Sequence, residues 1–252
     1  MAERGTVAMR DDRLIRIWTQ VSEQARGAPV SVAHVCAAVV FGVGVDGAGV
    51  TVMTSPTVRE TVHATDDVAA SLAEAQLTFG QGPCVDAFTE GGPVLAADLR
   101  TTDYLGRWPA FAPAALDSGA RAVFALPLQI GAIRLGILDL YRRRAGGLSP
   151  GELADALVFA DTAAMLLLDA TAGTKPGTAE LAWQRDDGSA HQAVVHQATG
   201  MILVQLGVTA EAAFARLRAH AYSHERRLSE VAGDVVDRRL RFEPDLPASS
   251  PP

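Results

Sequence analysis

Arginine and histidine side chains are concentrated near the end of this chain, in a spacing that suits binding of a polyanion. Three arginine clusters fall between residues 180 and 243, at Arg216/Arg218, Arg226/Arg227 and Arg238/Arg239/Arg241. Guanidinium groups bind phosphates and stack on aromatic rings, so local clusters can form a patch for an anionic partner without making the chain basic. The same segment holds eight arginines against nine carboxylates, and the whole chain carries a formal charge of −7. Because nonspecific binding needs surplus positive charge, we expect selective and modest binding.

A cysteine in the first half of the chain could carry a different chemistry. Cys84 follows Gly82-Pro83, near a loop or helix start where backbone N–H groups could stabilise a thiolate. It could act as a redox sensor or a nucleophile, or it could fill a small buried space under the loop. The only other thiol, Cys36, lies within an apolar run that reads as a strand.

Four side chains that border a later loop could hold a ligand: Asp98, Asp103, Arg107 and Trp108. An arginine beside an aromatic ring suits an anionic or planar ligand. Alternatively, Trp108 and Phe111 fill the core while Arg107 pairs with an aspartate. The sequence leaves both interpretations open.

Patterns typical of catalysis or of metal binding are missing from the sequence. His220 and His224 are four residues apart without a third ligand nearby, and His191 and His196 do not share a helical face. Neither a phosphate-binding glycine loop nor a serine or cysteine triad is recognisable. We therefore expect a protein that is not an enzyme and holds neither cofactor nor metal.

The composition predicts a folded protein with two domains, since 48% of the 252 residues are hydrophobic and 20% are charged. Disorder is expected at residues 1–13 and 243–252, and a linker at 171–179 is expected to separate domains at 14–170 and 180–242. No run is long and apolar enough for a membrane span, and the N-terminus lacks the apolar core of a signal peptide. We expect a cytoplasmic protein with reduced thiols.

Alternating helix and strand patterns in residues 14–170 predict an α+β fold, an antiparallel sheet with helices on one side. Helices are expected at Leu14–Arg26 and Val68–Phe79. Tight turns at Asp46-Gly47 and Gly131-Ala132 are expected to join two pairs of strands. The expected strands are Cys36–Val45, Gly49–Met53, Pro93–Ala97, Ala122–Ile130 and Ile133–Tyr141.

The sharpest helix start lies at Ser149-Pro150, where an N-cap serine, a proline at the first helical position and Glu152 at the third combine. This helix is expected to run to about Ala170. Its apolar content exceeds what its own domain can cover, so we expect it to pair with a second copy in a homodimer.

Three short helices are expected between residues 191 and 242. The first ends at Gly207, and Thr209 is placed to cap the second. Apolar residues recur at three- and four-residue steps through all of them, which predicts a small three-helix unit.

The ordered motifs QATGM, LRAHA and LSEVAGDVV in these helices resemble the ANTAR domain, an RNA-binding antitermination module. Upstream, GQGPCVDAF, RWPAF, GARAVFALPL and GILDLY resemble the GAF portion of actinobacterial GAF–ANTAR regulators. The resemblance implies a GAF sensory domain for an unknown signal or small-molecule ligand. It also implies a dimeric module that binds RNA stem-loops of nascent transcripts and suppresses a terminator.

The resemblance extends to individual residues of the RNA site. Ala198-Thr199-Gly200 stands where the family has Ala-Lys-Gly, so Thr199 replaces a lysine, and Arg218 matches the arginine of a Leu-Arg motif. The full expected RNA-binding set is Gln197, Ala198, Thr199, Gly200, Arg216, Arg218 and Tyr222. For the GAF ligand the expected set is Cys84, Asp98, Arg107 and Trp108.

Three alternatives remain open. Each arginine could form a salt bridge within its own domain instead of binding RNA. The last segment could serve dimerisation alone. One GAF subgroup reduces free methionine sulfoxide with loop cysteines, so the resemblance also allows a thiol redox enzyme built around Cys84.

Overall fold

The computed structural model describes residues 2–55, 59–172, 190–224 and 226–243. Contacts divide the chain into two units, Met1–Gly188 and Ser189–Pro252, and each is described by itself. Most of the predicted linker at 171–179 and of the predicted tail at 243–252 lies outside the described residues.

An antiparallel five-stranded sheet forms the centre of the first unit, in the order β2-β1-β5-β4-β3. Its strands are β1 (Gly47–Met53), β2 (Arg59–Ala64), β3 (Val94–Ala96), β4 (Ala122–Ile130) and β5 (Ile133–Arg142). The predicted β4–β5 hairpin is confirmed, and its turn places Gly131 at φ +59°, a conformation that favours glycine. Strand β2, which the sequence patterns did not reveal, pairs with β1 at one edge.

Seven helices accompany this sheet in the described part of the first unit. They are α1 (Ala2–Ala25), α2 (Val32–Val43), α3 (Asp67–Phe79), α4 (Pro83–Glu90), α5 (Thr102–Arg107), α6 (Phe111–Asp117) and α7 (Pro150–Ala172). Helix α7 starts as predicted: Ser149 N donates to Glu152 Oε2 at 2.6 Å, and Glu152 N donates to Ser149 Oγ at 3.3 Å. This reciprocal pair satisfies two backbone donors that the first helical turn leaves open.

The strand predicted at Cys36–Val45 is wrong, because most of that run forms helix α2. An apolar run of this length is compatible with either a buried strand or a buried helix. Ser31 occupies the N-cap position, and Gly44 ends the helix in a left-handed conformation at φ +68°. Consequently β1 pairs with β2 and β5 rather than with this run.

Helix α1 begins at Ala2, inside the segment 1–13 for which disorder was predicted. Two arginines tie this helix to α7. Arg13 Nε and Arg16 Nη2 lie 2.6 Å and 2.7 Å from the Asp155 carboxylate. Together with buried Ile17 and Val21, these ion pairs fix a segment whose polar composition alone indicates disorder.

Helices cover both faces of the sheet, not one face as predicted. Helices α1, α2 and α7 share a core with Phe124 and Leu126 of β4, while α3, α4 and α6 share another with Val123 and Ala125. Successive side chains of a strand point to opposite faces, so a strand that is apolar at every position needs cover on both sides. The predicted α+β fold class is confirmed.

The second unit contains the three predicted helices, α8 (Ala190–Leu206), α9 (Ala210–Ser223) and α10 (Leu228–Val236). Gly207, at φ +64°, ends α8, and Thr209 Oγ1 accepts from Ala212 N at 3.2 Å to cap α9. The core holds small and branched residues from all three: Val195, Ala198, Ile202, Ala213, Leu217, Ala221, Leu228, Val231, Ala232 and Val235.

Within the described ranges, no single helix has the length and hydropathy of a membrane span. Segments of α8 and α9 meet that measure only as a pair, which is bent by 107° at the break.

Candidate functional site

The predicted RNA-binding residues of helix α9 lie partly on its exposed side. Arg218 and Tyr222 are one helical turn apart and therefore share a face. The Tyr222 side chain is 58% exposed. The Arg218 guanidinium lies 5.9 Å from the centroid of the Phe214 ring, and burial lowers its pKa. Arg216, half-buried, lies on a different side of the helix. Arg218 and Tyr222 thus form a surface where a cation and an aromatic ring stand side by side.

Helix α8 presents only part of the predicted Ala-Thr-Gly site. Gln197 and Gly200 are exposed, whereas Ala198 is 0% exposed and belongs to the core. The Thr199 hydroxyl donates to the Val195 carbonyl at 2.8 Å, as threonines within helices commonly do. The prediction that Ala198 contacts RNA is therefore wrong, because a fully buried methyl group positions the helix and offers no surface. Thr199 offers a hydroxyl that is already engaged.

Ion pairs divide the arginines of the second unit into two groups. Arg226 Nη1 lies 2.7 Å from Asp234 Oδ2, and Arg239 lies 2.7 Å from both Asp234 and Asp237. By contrast, Arg227, Arg238 and Arg241 are exposed, and their side chains make no ion pair or hydrogen bond with any residue that the structure describes. These three can contact a phosphate without first breaking an internal pair.

The sequence prediction omitted these three arginines from the RNA-binding set, although it noted the clusters. A local signal was present for one assignment: Glu230 stands four residues after Arg226, and the two side chains lie 3.9 Å apart although Arg226 precedes α10. If Arg226 is excluded from the RNA-binding candidates because it pairs with Glu230, Arg227 is the arginine of that cluster that can contact RNA. The pairing of Arg239 with Asp234 involves the chain beyond α10 and has no comparable local signal.

In the first unit, two of the loop residues predicted to hold a ligand, Arg107 and Trp108, contact carboxylates of helix α4. Arg107 Nε and Trp108 Nε1 both donate to Asp86 Oδ2, at 2.7 Å and 2.9 Å, and Arg107 Nη2 also pairs with Glu90 at 2.7 Å. Trp108 is buried and stacks on Tyr104. These contacts close the loop onto α4, which favours the sealing interpretation.

The two aspartates of the same loop differ in their surroundings. Asp98 accepts two hydrogen bonds from Arg121, at 2.6 Å and 3.1 Å, and these bonds lower its pKa to about 2. Asp103 is exposed on α5. The structure therefore does not bring Asp98, Asp103 and Arg107 together around one space.

Cys84 is buried at the start of α4. Its backbone N donates to Gln76 Oε1 at 2.7 Å, and its Sγ lies 3.5 Å from Met53 Sδ. Burial, the largest influence, and the nearby Asp139 carboxylate raise the pKa of the Cys84 thiol well above its usual value. Cys36 belongs to the core on the opposite face of the sheet, where burial raises its pKa to about 12. The sheet separates the two thiols, so Cys36 cannot resolve an oxidised Cys84 by forming a disulfide.

Cys84 adjoins three buried polar residues, Arg59, Gln76 and Asp139. Sequence patterns did not predict that these residues lie together. Together with Cys84 we term them the buried polar cluster. Gln76 Nε2 donates to Asp139 Oδ2 at 3.4 Å, and Arg59 Nη2 donates to the Gln76 carbonyl at 2.5 Å. Asp139 Oδ1 is buried and accepts no hydrogen bond from the described residues.

Burial raises the pKa of Asp139 to about 7, although the Gln76 hydrogen bond and the Arg59 charge act in the opposite direction. Such a carboxyl can change its charge near neutral pH inside the domain core. Perturbed carboxyl groups of this kind occur at functional sites more often than at random, and structural ion-pair networks also produce them. Among the described residues, no three His, Cys, Asp or Glu side chains are placed to hold a metal ion.

Comparison with known protein families identifies the second unit. The family model of the ANTAR domain matches residues 188–236, a range that extends through α10. No curated protein sequence matches the chain. The predicted ANTAR domain is confirmed at these residues.

Solved structures similar to the chain include GAF domains. The GAF domain of a phosphoenolpyruvate-protein phosphotransferase from Coxiella burnetii is 15% identical, covers 64% of this chain and 95% of its own, and has a TM-score of 0.46. Its Acinetobacter counterpart is 11% identical, with 65% and 96% covered and a TM-score of 0.46. Free methionine-R-sulfoxide reductase from Neisseria meningitidis, solved with its substrate, is 17% identical, with 67% and 94% covered and a TM-score of 0.42.

We predict that the Cys84 thiol reacts slowly in the folded chain. In a Cys36→Ala variant, alkylation by iodoacetamide at pH 8 is expected to be at least about 100-fold slower than in denaturant, because only an accessible thiolate reacts readily. A further variant with Ser22→Cys, at an exposed position of α1, supplies a matched accessible thiol. Comparable rates for Cys84 and the engineered thiol would contradict the buried, protonated state.

The free energy of unfolding is expected to fall as pH rises from 5 to 7.5. The pKa of Asp139 is higher in the folded state than its usual value, so the folded chain holds a proton in this range that the unfolded chain has released. Asp139→Asn removes this contribution, and its profile should be flatter by roughly 1–3 kcal/mol over the range. Urea unfolding at several pH values measures the difference.

Asp103→Asn, at an exposed aspartate of α5, is the control for this experiment and should keep the wild-type slope. An Asp139→Asn profile parallel to that of the wild type would show that Asp139 titrates normally.

Proposed function

We propose that this chain is a signal-responsive regulator whose second unit binds RNA stem-loops of nascent transcripts and thereby prevents termination. The observation that carries the proposal is the ANTAR match at residues 188–236. Domains of this family are RNA-binding antitermination modules. The half-buried Arg218 and the exposed Tyr222 support the proposal, because unpaired loop bases are commonly read by arginine planes and aromatic stacking.

Charge supports selective binding over general affinity for RNA. The chain has a formal charge of −7, and two arginines of the described second unit, Arg226 and Arg239, are paired with carboxylates. Only the few available cations contribute phosphate contacts, so we expect a moderate salt dependence. Binding stabilises an antiterminator hairpin by mass action, by about 2.7 kcal/mol at a hundredfold excess of protein over the dissociation constant. This is enough to bias two RNA folds of similar stability.

The first unit is proposed to act as a GAF-type sensory domain with an unidentified signal, in keeping with its sequence motifs and its antiparallel sheet. The buried polar cluster is the most unusual feature of its interior and is proposed to take part in sensing. A buried carboxyl with an unoccupied acceptor atom responds strongly to any change in its neighbours.

A homodimer is proposed to form through α1 and α7. Leu157, Met165 and Leu168 are exposed along one side of α7, and Leu14 and Ile15 are exposed on α1. An open apolar groove between the two helices is lined by Trp18, Met165, Leu166, Leu168 and Asp169. Large apolar side chains gathered on one surface favour contact with another protein surface. A second copy would cover both helices with one symmetric contact.

We propose no enzymatic role. A thiol redox enzyme needs a reactive thiolate and a second thiol within reach. The buried Cys84 and the position of Cys36 on the other side of the sheet both weigh against that alternative. Turnover of free methionine sulfoxide with a thiol reductant, lost in Cys84→Ser, would revive it.

The full-length chain is predicted to bind a two-stem-loop RNA more tightly than the same RNA with scrambled loops in a gel-shift titration. Arg218→Ala should weaken binding by about 1–3 kcal/mol, since Arg218 shares a face of α9 with the exposed Tyr222. Arg100→Ala, an equal loss of charge at an exposed site in the first unit, should have no effect. Equal affinity for intact and scrambled RNA sinks the proposal. Specific binding that Arg218→Ala leaves unchanged removes Arg218 from the interface.

The dimer is predicted to dissociate when a charge is placed in the apolar groove. Met165→Glu should shift the chain from dimer to monomer in sedimentation at micromolar concentration, because burial of an unpaired carboxylate is costly. Ile133→Glu makes the same kind of change at an exposed isoleucine on the β4–β5 hairpin and should leave the dimer intact. A wild-type chain that is monomeric, or a Met165→Glu variant that remains dimeric, contradicts the proposed interface.

A further inference from the structure

Two histidines at the end of α9 are stacked on each other. The rings of His220 and His224 have centroids 4.0 Å apart and an interplanar angle of 19°. The Phe242 ring meets His220 edge-on at 5.4 Å, and Phe242 N donates to Gln205 Oε1 of α8 at 3.0 Å. The inner ring is therefore packed against the unit, and the outer ring, His224, is exposed.

Charged groups of both signs lie near this stack, and Glu225, the sequence neighbour of His224, lies outside the described residues. Burial and then the neighbouring His224 and Arg226 lower the pKa of His220. The acidic groups of α10, Glu230 and Asp234, are engaged by Arg226 at 3.9 Å and 2.7 Å, and Asp234 is also bound by Arg239. The contact from α8, Gln205, is uncharged. Exposed Glu243 follows Phe242 and is the one acidic residue beside it in the described segment.

Two of the available arginines belong to the same part of the chain. Arg227 follows Arg226 in the turn between α9 and α10, and Arg226 N donates to the Ala221 carbonyl at 3.0 Å, which folds the turn back onto α9. Arg241 immediately precedes Phe242, whose ring contacts His220. We term His220, His224, Arg227 and Arg241 the turn patch.

We infer that the turn patch binds a phosphate of the RNA backbone and that the stacked histidines take up one proton as it binds. This inference rests on the proposed function and specifies how the RNA is held. The repulsion between two imidazolium rings in contact favours uptake of one proton by the pair over uptake of two. A phosphate supplies the negative charge that stabilises this imidazolium and the two arginines together. Tyr222, two residues before His224, places an aromatic ring next to the same turn for a base.

The test is the dissociation constant of the full-length chain for the two-stem-loop RNA, measured from pH 8 to pH 6 at constant ionic strength. A linked proton changes affinity by no more than tenfold per pH unit. We expect binding to tighten by about 3- to 10-fold towards pH 6. His224→Gln, which keeps a polar side chain but cannot be protonated, should flatten the profile. His196→Gln, at an exposed histidine of α8, should retain it.

The salt dependence of the dissociation constant tests the role of Arg227. Arg227→Ala should reduce the slope of log affinity against log salt by a little under one unit, as expected for one lost phosphate contact. Arg239→Ala, which removes an internally paired arginine, should change this slope less.

The outcomes distinguish a failure of the turn patch from a failure of the proposed function. Specific RNA binding that does not vary with pH, or that varies equally in His224→Gln, overturns the turn patch and leaves the proposed function standing. An unchanged salt slope in Arg227→Ala removes that arginine and likewise counts against the patch. Absence of specific RNA binding at every pH overturns the proposed function and the turn patch with it.

Discussion

Burial of β4 and β5 on both faces is the constraint from which the rest of the first unit follows. The first seven residues of β4 are all buried, and β5 is buried from Gly136 to Tyr141. Since alternate side chains point to opposite faces, two separate helical layers are needed, and they form two separate cores. This division keeps the two cysteines apart. It also traps Asp139 of β5 in a core with few polar partners, which is why its carboxyl holds a proton near neutral pH.

The second unit differs from the first because it is too small to bury most of its side chains. Its three helices meet through alanines and a few branched residues, and most other side chains remain at the surface. Charge is therefore arranged by pairing. Asp234 engages Arg226 and Arg239, and this leaves a limited set of cations that can meet an anionic partner. A negatively charged protein can bind RNA selectively in this way, because only a few arginines of the second unit are left to contact phosphates.

Elements marked by local chemistry could be predicted from the sequence. Ser149 with Glu152 marks the start of α7, Gly131 marks the hairpin, and Thr209 marks α9. Helix α2 was misassigned because its apolar, β-branched run suits either element. The approach of Arg59 to Asp139 could not be foreseen, because it depends on strand order and on a strand that local patterns missed. For the RNA surface, motif position identified the helices but placed Ala198 in the RNA-binding set, although Ala198 is fully buried.

The central claim is that the second unit holds the RNA. Ultraviolet cross-linking of the full-length chain to a two-stem-loop RNA, followed by mass spectrometry of the cross-linked peptides, tests it most directly. The account predicts adducts on the peptides that contain Tyr222 and His224, and none on peptides from residues 14–170. Adducts confined to the first unit, or equal labelling of the second unit by an RNA with scrambled loops, would contradict it.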